Sequence, residues 1–223
     1  MRQRGFISNP DYDSGVCTDF VAKLPITGAA VSAFGSWLPE TFICATDGLA
    51  AHLDELQFDL GEGPRWDAVR TRRPVLLPFV RSHPHTNWPV FGKALLLLDV
   101  EAIFVFPLTI GAIDVGVVEL YSTTPAPLQH DDLQKATSLA DQSAWTLLHS
   151  VLAGNEHSDP AAQASSPLSR REIHQATGMV LVQLETTATE ALQRLRAHAF
   201  LHDKSVRDVA TEVVARTLFF TPD

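Results

Sequence analysis

The chain has 223 residues, 45% of them hydrophobic, and carries 17 Lys and Arg against 26 Asp and Glu for a net charge of −9. That suits a globular chain of one large domain or two small ones. No apolar run is long enough to cross a bilayer, the longest being broken by Lys, Asp and Glu, and Met1-Arg2-Gln3-Arg4 leads into no signal-like core, so a cytoplasmic protein is expected.

The acidity is confined to one part of the chain. Up to Pro167 there are 10 Lys and Arg against 19 Asp and Glu, a net of −9, whereas from Leu168 onward 7 stand against 7. The first part is not expected to touch nucleic acid, and any such contact in the second must use local clusters.

In chain order, β-branched and aromatic enrichment bounded by Gly or Pro predicts strands over residues 28–34, 40–46, 75–80, 102–108 and 115–121. Helical patterns are predicted over 16–24, 49–56, 64–70 and 91–98. The last two strands, joined by Thr109-Ile110-Gly111-Ala112-Ile113-Asp114, read as an antiparallel hairpin. An antiparallel sheet flanked by helices is therefore expected, an α+β fold. Cys17 and Cys44 lack the spacing of zinc or redox motifs and are expected to be buried small hydrophobes.

Several motifs in this part occur together: Leu60-Gly61-Glu62-Gly63-Pro64, Arg73-Pro74-Val75, Trp88-Pro89-Val90-Phe91, Phe106-Pro107-Leu108 and the segment Val115 to Tyr121. Gly61 and Gly63 permit a tight turn, and Pro64 suits the first position of a helix. The set resembles a GAF domain from about Val16 to Val151. Gly61, Glu62, Gly63, Pro64, Trp88 and Pro107 carry that resemblance. A GAF-like domain implies a possible small-molecule ligand of unknown identity or a domain serving only dimerisation; no cofactor is assigned. His83, Pro84, His85 and Trp88 suggest haem or metal, but two His two residues apart fall short of a metal signature, and no metal site is expected. Trp37 and Trp66 read as core or pocket wall.

A long helix is predicted from Gln129 to about Val151. Leu133, Thr137, Ala140, Ala144, Leu147 and Val151 keep the 4-3-4-3-4 spacing of a two-stranded coiled coil, and the same face also suits packing on the chain's own sheet. Asp131 and Asp132 open this helix, where acids favour the dipole. No phosphate-cradling loop, nucleophile elbow or zinc-protease motif is present, so no catalytic residue is assigned. Residues 154–168, rich in Pro, Ser, Ala and Gly, read as a linker between a sensor at 1–153 and an output unit at 169–223.

The output unit carries three capping boxes: Ser169 to Glu172, Thr187 to Glu190 and Ser205 to Asp208. Each precedes helical periodicity. The predicted inner faces are Ile173, Ala176, Val180 and Leu184; Ala188, Ala191, Leu192, Leu195 and Ala199; and Val206, Val209, Ala210 and Val213. An all-α three-helix unit follows. Met179, Leu181 and Val182 add apolar surface off the first stripe, which favours a homodimer. Ala176-Thr177-Gly178-Met179-Val180-Leu181, Glu190-Ala191, Leu195-Arg196 and Arg207-Asp208-Val209-Ala210 resemble the ANTAR domain, the RNA-binding output module of transcription antitermination regulators. Thr177 stands where that family usually has a basic residue, and Asp203 where it has Asn.

The resemblance implies RNA stem-loops as the partner, with Arg170, Arg171, His174, Arg194, Lys204 and Arg207 as contact candidates. Ala176, Gly178, Ala191 and Ala210 are expected to act by close helix packing, alongside Leu195, Arg196 and Val209. Arg194, His198 and His202 form an i, i+4 stripe. Leu168 to Glu172 also resembles the opening of a LuxR-type helix-turn-helix, but the closing helix of that module would lie past Asp223, so duplex DNA is not an expected partner. The alternative is a signal-responsive dimer whose tail binds a protein.

Overall fold

The computed structural model describes residues 7–8, 15–35, 38–82, 85–154 and 170–221. The chain divides into two compact units, the larger formed by residues up to Phe58 and from Glu62 to Leu168, the smaller by Asp59–Gly61 and the residues from Ser169 onward.

The larger unit is built on a six-stranded sheet. Its strands are β1 (Ile7–Ser8), β2 (Gly28–Gly35), β3 (Leu38–Ala45), β4 (Val75–Leu77), β5 (Ala102–Ile110) and β6 (Ile113–Ser122). They lie in the order β1-β3-β2-β6-β5-β4, and every neighbouring pair is antiparallel. The predicted hairpin forms between β5 and β6, turning at Gly111, whose φ of 58° suits a residue without Cβ. The strand predicted over 75–80 is only three residues long, pairing with Ile103–Val105; beyond it β5 is a sheet edge, where Pro107 removes no ladder bond to β4.

Alternation along the strands sends Val31, Phe104, Phe106 and Leu120 to one face, beneath helices α1 (Gly15–Lys23) and α5 (His130–Gly154). Phe20, Ala136, Leu139, Ala144 and Leu147 complete that core. The remaining helices of this unit are α2 (Gly48–Leu60), α3 (Pro64–Thr71) and α4 (Pro89–Leu95).

Two sequence expectations are corrected in this core. Cys17 and Cys44 are buried, as expected of small hydrophobes, but they are joined in a disulfide that ties α1 to β3. The spacing of 27 residues hid the pair, because helix and strand meet only in the folded sheet. On α5, Ala140, Ala144 and Leu147 of the predicted coiled-coil seam are buried against the chain's own sheet, so they cannot serve a second helix. Leu133 packs at the edge of this core, while Thr137 is exposed; the side chain of Val151 lies outside the described residues. The exposed large hydrophobics of α5 are Trp145 and Leu152.

The smaller unit comprises α6 (Arg171–Leu184), α7 (Ala188–Leu201) and α8 (Val206–Val214). Two capping boxes form. Thr187 Oγ1 accepts from the Glu190 N–H at 3.2 Å while the Glu190 carboxylate takes the Thr187 N–H, and Ser205 with Asp208 repeats the arrangement at α8. Such caps contribute about 1 kcal/mol each. The first box is different: Arg170 holds the N-cap position of α6 without a side-chain cap bond, and Ser169 lies outside the described residues. Ile173, Ala176, Val180, Ala191, Leu195, Ala199, Val206, Val209, Ala210 and Val213 form the core, as the helical periods predict. Ala188 is exposed instead, at the first turn of α7. Asp203 turns the chain between α7 and α8 with φ 53°, a left-handed conformation that Asp and Asn tolerate through their short polar side chains.

Among the described residues no helix is long and apolar enough to cross a membrane.

Candidate functional site

The outer face of α6 gathers the features expected of a polyanion contact. Arg171, His174, Gln175 and Gly178 are all exposed, and steps of three, four and seven residues place them on one side of the helix. Arg171 opens the helix, adding its charge to the orphan N–H groups and positive dipole end there. Gly178 leaves a gap in this stripe, because a Cβ built on it meets nothing within 4 Å. The expectation that Gly178 serves close packing of the helices is therefore corrected: its missing side chain clears the outer surface. Ala176, Ala191 and Ala210 are fully buried or nearly so, where small side chains let the helices approach.

Not every predicted cation lies at the surface. Arg170 is only 5% exposed, so it drops from the outer surface. Arg194 is exposed on α7, and Arg207 is half-buried at the start of α8. Lys204 is exposed and pairs with Glu212 at 2.5 Å. Arg196 is half-buried, and Leu195 and Val209 belong to the core. Thr177 spends its hydroxyl on the Ile173 carbonyl at 2.7 Å, within its own helix.

The Gly-Glu-Gly-Pro segment, between α2 and α3, is a structural junction. Gly61 and Gly63 have φ of 63° and 122°, and a Cβ on Gly63 would lie 2.4 Å from Gln57 Oε1. Glu62 accepts the Val90 and Phe91 N–H groups at 3.0 and 3.1 Å, capping α4, while Pro64 and Pro89 sit in the first turns of α3 and α4. Trp88 donates its indole N–H to Asp67 at 3.1 Å, locking α4 to α3. His85 lies 6.0 Å from Trp88 in a stacked arrangement, and its Nε2 is 2.8 Å from the Val80 carbonyl oxygen. An open groove of about 360 Å³ borders these residues and Leu76, Leu77, Pro78 and Phe79. His83, Pro84 and Trp37 lie outside the described residues. Trp66 is half-buried and donates to the Gln57 carbonyl at 2.7 Å. Among the described residues no group of three or more His, Cys, Asp and Glu is placed to hold a metal.

Sequence reasoning missed what fills the other face of the sheet. Arg65, wholly buried, pairs with Asp54 at 2.6 Å, with Glu40, and with Glu119 at 3.4 Å. Its guanidinium also lies 5.9 Å from the Phe34 ring and 5.5 Å from Trp66. Ser32 donates to Asp54 at 2.6 Å, and Gln57 bridges the Glu119 carboxylate and the Arg65 backbone N–H. Burial works against the charge of Arg65, but Glu40, Asp54 and Glu119 outweigh it and hold the guanidinium protonated beyond its ordinary range. The space left beside Gln57, Glu119 and Tyr121 is about 10 Å³, room for one water. An available signal was Glu119 itself: an acid inside Val117-Val118-Glu119-Leu120-Tyr121 demands a buried partner.

An antiparallel sheet flanked by helices is followed in this chain by a capped three-helix unit. The family model of the GAF domain matches residues 16–147, more than half of the chain, and that of the ANTAR domain matches residues 165–214. The chain thus belongs to the GAF domain family and carries an ANTAR domain after it. GAF domains are sensory, and ANTAR domains are RNA-binding antitermination outputs. No curated protein matches the chain. Among solved structures it is similar to the photoproduct state of GAF3 from Slr1393 of Synechocystis sp. PCC6803, with a TM-score of 0.50, 16% identity and coverage of 65% of this chain and 96% of that one. A domain of a putative two-component sensor histidine kinase from Sinorhizobium meliloti 1021 gives a TM-score of 0.49 at 14% identity, covering 65% and 94%.

Proposed function

We propose that the protein is a signal-responsive, non-catalytic RNA-binding regulator acting by transcription antitermination or related RNA-level control. A sensor at 1–153, joined by a linker at 154–168, gates an output at 169–223. The observation that carries this reading is the exposed stripe Arg171, His174, Gln175 and Gly178 on α6, within the ANTAR match. Its cations and the positive end of the helix dipole suit phosphates, and Gly178 lets a backbone approach closely. Arg194, Lys204 and Arg207 extend the cationic set, and paired stem-loops held by a dimer gain from effective concentration.

The dimer is assigned to the outer face of α5. Gln134, Ser138, Asp141, Trp145, Leu148 and Leu152 repeat at 4-3-4-3-4, and Trp145 and Leu152 are 54% and 60% exposed. This stripe replaces the inward-turned one. A signal that shifts helix spacing there would pass along α5 toward the output. The alternative, an output that binds protein, draws on the exposed Val182, Phe200 and Leu201.

The test is transcription in vitro through a terminator preceded by tandem stem-loops. Read-through should rise with the protein and stay at baseline with an Arg171→Ala/His174→Ala variant; read-through unaffected by wild-type protein on any such template counts against antitermination.

A further inference from the structure

The core of the smaller unit contains no aromatic residue among those described; it is filled by Ala, Val, Leu and Ile. Its rings lie outside that core, Phe200, His202 and Phe219 exposed and His198 and Phe220 half-buried. Three of them cluster. His198 and His202, one turn apart on α7, have ring centroids 4.2 Å apart, and Phe220 sets its ring edge-on to His198 at 5.5 Å and 68°. Phe220 is held there because its backbone N–H donates to Gln183 Oε1 of α6 at 3.0 Å. His202 is exposed, and Phe219 next to Phe220 is 61% exposed.

The charges around the cluster are mixed and include Lys204, with Arg194 on the same helix. Lys204 acts on His198, as does its partner Glu212, and Arg194 lies one turn before His198 on α7. Burial, then His202 and Lys204, hold His198 below its ordinary value, so its imidazole is neutral at neutral pH and offers a π face rather than a charge. Aromatic faces beside Lys and Arg are the arrangement by which proteins hold unpaired bases, since every base can stack and the flanking phosphates need cations.

We propose that His198, His202 and Phe220, together with Phe219, the exposed chain neighbour of Phe220, form a stacking platform for the unpaired bases of an RNA loop, with Arg194 and Lys204 taking the flanking phosphates. The proposal rests on the RNA-binding reading and adds a second contact to the α6 stripe. Phe219 and Phe220 follow the segment matched by the ANTAR model, which ends at 214, whereas His198 and His202 lie within it.

The experiment compares the full chain with His202→Ala/Phe219→Ala, both exposed positions, and with Phe220→Leu, which keeps apolar bulk without the ring. Each binds two probes: a tandem stem-loop RNA, and the same RNA with abasic loops. The variants should bind the intact loops about tenfold or more weakly per stack lost, with the salt slope unchanged, and should match wild type on abasic loops. Equal affinity of wild type and variants for intact loops, or equal losses on both probes, overturns the platform while leaving RNA binding in place. Variants that keep RNA affinity but lose self-association in sedimentation make the patch a protein interface and overturn it too. No salt-sensitive RNA binding by wild type overturns the underlying reading and the platform with it.

Discussion

Replacing Arg65 by Met removes a wholly buried cation and leaves its partners behind. Asp54 and Glu119 are buried with it, and Glu40 is nearly so. Methionine fills much of the same volume, so the main loss is electrostatic rather than a cavity. Removing one member of a buried pair costs about 3–5 kcal/mol, because the remaining charge has neither water nor partner. Here several carboxylates lose the same partner, so the upper end of that range is expected. By comparison, the half-exposed Lys204–Glu212 pair is of a class worth about 0–1 kcal/mol. Urea unfolding followed by Trp fluorescence is the assay, since Trp37, Trp66, Trp88 and Trp145 all precede the smaller unit and report on the larger one. The penalty should shrink as pH falls and the stranded carboxylates take up protons. A loss below about 1 kcal/mol at neutral pH would refute the buried-cluster argument.

Other perturbations address separate parts of the account. Replacing Cys17 and Cys44 by Ser opens a loop of 27 residues, for which chain entropy gives a loss of about 3–4 kcal/mol, read as a lower urea midpoint by the same fluorescence. Gly178→Ala should stabilise α6 by about 0.5–1 kcal/mol in thermal melts by circular dichroism, because the added Cβ meets open space, whereas Gly178→Leu should keep the fold and weaken RNA binding. If Gly178→Leu unfolds the smaller unit, Gly178 serves packing after all. The folded state holds His198 below its ordinary value of 6.5. Between the folded and unfolded values the unfolded chain binds more protons, so the stability of the smaller unit should fall as pH drops below about 6.5, and His198→Gln should flatten that slope.

The helices of the smaller unit were legible because caps and periods are local. Thr187 with Glu190 and Ser205 with Asp208 meet across three residues, and both boxes form. The strand pattern likewise placed the β5–β6 hairpin, since alternation and a turn suffice to define it. What depends on tertiary approach was not legible. The heptad of Ala140, Ala144 and Leu147 satisfies a coiled coil and a sheet face equally, and the sheet takes it. Arg65 gave no periodic signal, because its partners lie on β3, α2 and β6 and converge only when the sheet is assembled. The disulfide was hidden for the same reason. Gly178 was read as a packing residue because a glycine in a helix usually has a reason; the outer surface supplies it here. Likewise Arg170 looked like a surface cation in sequence, whereas at the start of α6 it is drawn inside.

The most direct test of the central claim is the affinity of the purified full chain for tandem stem-loop RNA as a function of salt, with duplex DNA of equal length as control. The account predicts binding to the RNA with log affinity falling by about 0.7 per phosphate contact against log salt, a slope reduced by Arg171→Ala, and little binding to the duplex. Binding that is indifferent to salt, or no preference for stem-loops over duplex DNA, would contradict it.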